Sequence, residues 1–149
     1  KLNWLDRLYE RMKNLLANDT PFIIGGDYNI IPEERDCYDP QAWEGDALYH
    51  PDSRARLRKF LNLGMTDAFR VYNGAAQSYT FWDYQGGAWP QNNGIRIDHF
   101  LLSPRCADGL KKCWIDKTPR SWDRPSDHTP VVIECDVPRR PAVKSGDCD

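Results

Sequence analysis

Phe22-Ile23-Ile24-Gly25-Gly26-Asp27-Tyr28-Asn29 decides how the rest of the chain is read. Three apolar residues in a row, bounded by Thr20-Pro21 and a glycine pair, predict a buried central strand that ends in a turn. The turn hands the chain to an acid and an amide two residues apart, which on an extended segment point the same way. Upstream, Leu2, Leu5, Leu8, Met12, Leu15 and Leu16 recur at three- and four-residue steps, so the first 17 residues predict an amphipathic helix. Downstream, from Asp27 to Asp52, eight carboxylates face Arg35 alone, a local charge of −7, and Pro32, Pro40 and Pro51 break any period. That is a long ordered loop at a strand end, the usual place for function.

Further along, Asp52 or Ser53 is expected to cap a second helix with Leu57, Phe60 and Leu61 facing inward and Gly64 ending it. Arg54, Arg56, Arg58 and Lys59 decorate that helix as a solvated face. Ser78 to Tyr84 predicts a strand, and Gly86-Gly87 opens a polar loop to Asn93. Ile95, Ile97, His99 and Leu101 then alternate with Arg96, Asp98 and Phe100, a strand with one apolar face. Lys112 to Thr118 and Pro130 to Val137 predict two more strands. Residues 1–137 read as one domain unit and 138–149 as a polar tail. A helix-strand half followed by several strands predicts an α/β or α+β sandwich layer.

The 149 residues suffice for one ordinary domain, and an apolar fraction of 40% with six Trp supports a packed core. The net charge of −2 excludes a protein that coats nucleic acid by charge alone. It leaves room for local patches, since residues 53–149 carry 15 basic and 11 acidic side chains. Apolar stretches are only a few residues long, so no membrane span or membrane partner is expected. Five scattered cysteines, an odd number without metal-ligand spacing, point to free thiols in a reducing compartment, the cytoplasm, and not to zinc.

Three polar clusters lie at predicted strand ends: Gly26-Asp27-Tyr28-Asn29, Arg96-Ile97-Asp98-His99 and Ser126-Asp127-His128-Thr129-Pro130. Alone, the first is a turn composition, the second a strand with a structural ion pair, the third a solvated loop. Together they supply a carboxylate and amide, an acid–imidazole pair and a further carboxylate. That inventory suits a divalent-metal hydrolase of phosphate esters, because hard cations prefer oxygen ligands and the reaction needs a water made nucleophilic.

With Tyr79-Thr80-Phe81-Trp82-Asp83-Tyr84 and Gly94 through Ser103 added, the order and spacing of these clusters resemble the exonuclease III family from about Lys1 to Cys135. These are bacterial abasic-site endonucleases within the endonuclease/exonuclease/phosphatase superfamily. The resemblance implies a four-layered α/β sandwich, two packed, mainly antiparallel β-sheets flanked by helices, of which this chain looks like the C-terminal half. It implies a DNA repair nuclease, a 3′-to-5′ exodeoxyribonuclease and abasic-site endonuclease, acting with Mg²⁺ or Mn²⁺ on double-stranded DNA with abasic sites or 3′ ends. Asp27 would position or deprotonate the attacking water, Asn29 would orient it and bind phosphate, and Asp98 would pair with His128 at the scissile phosphate. Metal contacts would come from Asp27, Asn29 and Asp127. Phe81, Trp82, Ile95 and Ile97 would border the pocket for the extruded sugar, with Arg96 the nearest cation for DNA.

The resemblance implies that the family's principal metal-binding Glu, an Asn and a catalytic Tyr would fall upstream of Lys1, in an N-terminal half. Glu33 and Glu34 match no family metal position and are expected to cap the acidic loop. The chain alone is therefore expected to be inactive. If the chain is half of a sandwich, one sheet face is expected to be uncovered, with Phe22, Ile24, Ile97, Leu101, Val131 and Ile133 contributing to that face or to its opposite. Alternatives are a phosphatase or phosphodiesterase of the same superfamily, and a non-catalytic half-domain; scattered cysteines argue against the disulfide-bearing secreted DNase branch.

Overall fold

The structure, a computed structural model, describes residues 1–136. Helix α1 (Leu2–Ala17) buries Leu5 and Met12 completely, each a gain of roughly 1.5–3 kcal/mol over exposure. It lies against α2 (Pro51–Asn62), whose Leu57 and Phe60 enter the same cluster with Tyr28, Ile30, Met65 and Leu101. A bidentate Arg56–Asp6 ion pair, at 2.8 and 3.0 Å, ties the two helices. The cap of helix α2 is His50, two residues before Asp52 and three before Ser53, the expected caps: Pro51 sits at the first helical position and the His50 ring accepts from Asp52 N–H at 3.2 Å.

Strand β1 (Ile23–Asp27) pairs antiparallel with β3 (Asp98–Leu102), which also carries the two-residue β2 (Thr66–Asp67). The sheet order is β1-β3-β2, so among the described residues β1 is an edge strand, not the expected central one. Ile23 and Ile24 are half-buried and Gly25 to Asp27 exposed. Gly25 is required there, because a Cβ would stand 2.2 Å from the Phe100 ring of the neighbouring strand. A second sheet pairs β4 (Leu110–Ile115) with β5 (Val131–Cys135), with Ile115 opposite Val131.

Three short helices escape the sequence reading: α3 (Ala68–Tyr72), α4 (Ala88–Gln91) and α5 (Pro104–Asp108). Each spans four or five residues, too few to show a helical period. The predicted Ser78–Tyr84 strand is an extended segment with single bridges from Phe81 to Ile95 and to His128. A regular ladder fails there because Thr80 Oγ1 takes the N–H groups of Ile97 and Asp98, at 3.1 and 3.2 Å. For the same reason the Ile95–Leu101 strand becomes regular only from Asp98. The acidic loop forms two 3₁₀ turns, Glu34–Asp36 and Gln41–Trp43, and is otherwise irregular as expected.

This is a mixed α/β architecture with two antiparallel sheets and flanking helices, as the sequence predicts. Of the six residues expected on the uncovered face or its opposite, two are closed off and four are partly open. Ile97 and Leu101 are fully buried, and Phe22, Ile24, Val131 and Ile133 are half-buried against neighbouring core clusters. Cys37, Cys106 and Cys113 are buried free thiols and Cys135 a half-buried one; burial pushes Cys37 up to about 11 and Cys113 to about 12. No helix among the described residues is long and apolar enough to cross a membrane. The predicted tail at 138–149, with Cys148, lies outside the described residues.

Candidate active site

The β1–β3 register sets Asp27 directly opposite Asp98. Residues opposite each other on an antiparallel pair project from the same face, so two carboxylates from distant parts of the chain become neighbours. The extended Phe81 segment completes the assembly. Its backbone pairs with Ile95 on one edge and the 127–129 segment on the other, through Trp82 N–H to Asp127 C=O at 3.0 Å and Thr129 N–H to Thr80 C=O at 2.8 Å. This brings His128 beside Asp98, with Nδ1 2.9 Å from Asp98 Oδ2. The carboxylate only accepts, so Nδ1 carries the proton and Nε2 is left for another partner. The edge of the Phe81 ring packs on the imidazole with 5.2 Å between centroids.

Asp27 and Asn29 form a closed unit. Asp27 Oδ1 accepts from Asn29 N–H at 2.7 Å and Oδ2 from its side-chain amide at 2.9 Å. Asn29 adopts the left-handed conformation, φ 52°, one of the few non-glycine types that does so cheaply. The geometry thus joins Asp27, Asn29, Asp98 and His128 on one face, with Asp127 in the loop segment beside it.

One cation in this region was missed by the sequence reading. The Lys1 ammonium donates to the carbonyls of Asn29 and of Ala47, the latter at 2.9 Å. Burial lowers its pKa, while the charges of Asp27 and Asp46 oppose that fall. Its position in the first turn of an amphipathic helix carried no signal of such a contact.

Arg96 is the clear correction. Its side chain is 1% exposed, and Nε binds Asp36 Oδ1 at 2.6 Å while Nη1 reaches Asp67 Oδ2 at 2.9 Å and His99 Nδ1 at 3.1 Å. A guanidinium held this way has no free face for DNA. Arg70 adds a second cation on Asp36, which is fully buried; burial raises that carboxyl's pKa, and both arginines outweigh it and hold it below the usual range. His99 must accept from Arg96 at Nδ1, so its Nε2–H donates to Ile30 C=O at 2.9 Å. Burial, followed by the Arg96 charge, pushes His99 down to about 4 and keeps it neutral.

Trp82, Ile95 and Ile97 are also buried, so of the expected sugar-pocket residues only Phe81 is half-exposed. Trp82 belongs to a core cluster with Tyr79 and Ala88, its indole N–H donating to Asn92 Oδ1 at 3.2 Å. Ile95 still reaches the wall of a pocket that Phe81 also lines. Glu33 behaves as expected, capping the 3₁₀ turn reciprocally with Asp36 and pairing with Arg35 at 2.7 Å, whereas Glu34 lies within that turn.

As for a metal, the oxygen donors that the geometry brings together are those of Asp27, Asn29 and Asp98. Among the described residues no three His, Cys, Asp or Glu side chains gather closely enough to hold an ion on their own. Mg²⁺ is commonly held by one or two carboxylates, with water and substrate phosphate completing its shell, so this oxygen-rich set fits.

The chain is similar to several characterised proteins. A Neisseria 3′ phosphatase, solved with a product DNA hairpin, superposes with a TM-score of 0.85 at 35% identity, covering 90% of this chain and 52% of that one. Exodeoxyribonuclease III of Haemophilus influenzae is 31% identical over 140 residues, 87% of this chain and 52% of its own length. The DNA-(apurinic or apyrimidinic site) endonuclease of Dictyostelium discoideum is 35% identical over 118 residues, 78% of this chain and 32% of its length. The chain thus spans a third to a half of the length of these relatives, and the resemblance read from its motifs agrees with them. The endonuclease/exonuclease/phosphatase family pattern matches residues 1–128, and the chain belongs to that family.

Proposed function

We propose that this chain carries half of the active site of a DNA repair nuclease, which hydrolyses phosphodiester bonds at abasic sites and from 3′ ends of double-stranded DNA. The observation that carries the reading is the Asp98–His128 hydrogen bond, set directly across the sheet from the Asp27–Asn29 unit. Similarity to proteins named for exodeoxyribonuclease, abasic-site endonuclease and 3′ phosphatase activity supports it.

In this reading Asp27 positions the attacking water and takes its proton, and Asn29, locked to Asp27 through both oxygens, orients the water and a phosphate oxygen. Asp98 fixes the His128 tautomer so that Nε2 faces the scissile phosphate, where charge develops. Asp27, Asn29 and Asp127 would hold Mg²⁺ or Mn²⁺, which supplies positive charge at the phosphate. Residues 1–137 would form one half of the domain, and the other half would add the principal metal-binding Glu, an Asn and a Tyr. The free, buried thiols fit a reducing compartment, the cytoplasm.

The test is a gel assay of the intact protein, with both halves of the domain present, on an end-labelled duplex with one abasic-site analogue, with Mg²⁺ and with EDTA. A single incision that requires the metal is expected. Hydrolysis of a phosphomonoester or lipid phosphate without any DNA cleavage would overturn the nuclease reading in favour of another branch of the family.

A further inference from the structure

Arg120 takes no part in the hydrolytic steps above, and its surroundings are unusual for a cation. It stands in a 3₁₀ turn, Thr118–Ser121, and is only 6% exposed. Arg96, also buried, is bound by Asp36 and Asp67, whereas Arg120 has no acidic partner among the described residues. Its guanidinium lies over the Tyr84 and Trp89 rings, 5.5 and 5.4 Å from their centroids, and Nη2 donates to the Trp82 carbonyl at 3.2 Å. Nε is buried too and has no hydrogen-bond partner among the described residues. A charge enclosed with so little compensation is costly, and an apolar side chain of similar length would avoid that penalty. What arginine adds is direction: a planar fork resting on two rings aims its N–H groups along fixed lines.

The carbonyl it holds belongs to the segment that seats His128. Trp82 N–H donates to Asp127 C=O at 3.0 Å, so with Arg120 on its carbonyl both backbone polar groups of Trp82 are pinned. Just before it, the Phe81 ring packs on His128, and the Thr80 carbonyl accepts from Thr129 N–H at 2.8 Å. The Thr80 hydroxyl accepts from Asp98 N–H at 3.2 Å. Residues 80–82 therefore join the strand that carries Asp98 to the loop that carries His128, and Arg120 fixes their Trp82 end. A peptide free to turn at Trp82 would take Asp127 with it and shift the next residue, His128, against Asp98. Misplacement on that scale is enough to slow a reaction severalfold or more. We propose that Arg120 is a positioning residue for the hydrolysis: its hold on the Trp82 carbonyl keeps His128 Nδ1 seated on Asp98.

The proposal rests on the nuclease reading for the reaction whose rate is measured, so one of its two measurements needs no reaction. Both use the intact protein, with both halves of the domain present. Arg120→Met removes the donor and keeps the bulk; Arg120→Lys keeps the charge without the planar fork. The first measurement is the downfield NMR resonance of the His128 Nδ1 proton, identified by its loss in His128→Asn, which persists only while Asp98 shields that proton from exchange. It should broaden in Arg120→Lys and vanish in Arg120→Met. The second is the single-turnover cleavage rate of an abasic-analogue duplex at saturating DNA, which should fall about threefold in the Lys variant and about tenfold in the Met variant, with DNA affinity unchanged. The proposal needs both responses: a resonance or a rate that stays at the wild-type value in Arg120→Met overturns it, even where stability is lost. Should Arg120→Met fail to fold, the Lys variant decides by the same two measurements. Weakened DNA affinity with the rate kept would make Arg120 a DNA contact and overturn it as well. A resonance that responds in a wild-type background without any DNA cleavage would uphold the seating of His128 and sink the nuclease reading; normal cleavage in all three proteins would do the reverse.

Discussion

At the scale of single residues, two histidines beside Asp98, His99 in sequence and His128 in space, behave oppositely. His128 keeps one nitrogen free beside Asp98, whereas both His99 nitrogens are consumed inside the protein. His99 has a folded-state pKa of about 4 against an ordinary 6.5, so the unfolded chain binds more protons between those values. Stability is therefore full above about pH 6.5 and falls as pH drops toward 4, by up to roughly 3 kcal/mol from this group. Urea unfolding across that window should show the loss in the wild type and a flatter profile in His99→Gln; identical profiles would contradict the assignment. Asp27 is argued from its grip on Asn29. Asp27→Asn should lower DNA cleavage about 100-fold or more while DNA binding is retained, as rates at saturating DNA would show.

The elements explain what the sequence disclosed and what it hid. The long α1 period was legible because six apolar residues repeat over sixteen positions, and the β3 alternation because Ile95, Ile97, His99 and Leu101 all face inward. Asp98 was legible as an acid breaking an apolar strand. Strand β1 misled, since a run of apolar residues looks alike at a sheet centre and at a half-buried edge. Arg96 misled for a different reason: its partners Asp36 and Asp67 lie 60 and 29 residues away, and no local pattern announces such an ion network. The network ties the acidic loop, β2 and β3 together. Arg96→Met should destabilise the protein by about 3–5 kcal/mol, because fully buried Asp36 and half-buried Asp67 both lose a counter-charge. Chemical denaturation measures this, and a loss under about 1 kcal/mol would mean that Arg70 alone compensates.

At the scale of the whole molecule, charge is divided rather than balanced. The 27–52 loop carries −7, whereas residues 53–149 hold four more basic than acidic side chains. With Arg96 buried, and Arg54 and Arg56 engaged by Pro32 C=O and by Asp6, exposed cations such as Arg58, Lys117 and Arg124 remain for the DNA backbone. DNA affinity should therefore fall steeply with salt, and Lys117→Ala with Arg124→Ala should make that slope shallower by about two, one for each lost phosphate contact. A slope unchanged in the double variant would place the DNA elsewhere. The central claim is that the face shared by Asp27, Asn29, Asp98 and His128 performs the hydrolysis. Its most direct test is the single-turnover cleavage rate of an abasic-analogue duplex by the intact protein, both halves of the domain present, and by its His128→Asn variant, at saturating DNA and Mg²⁺. A fall of about 100-fold or more in the variant, with DNA affinity kept, is the predicted result; equal rates would contradict it.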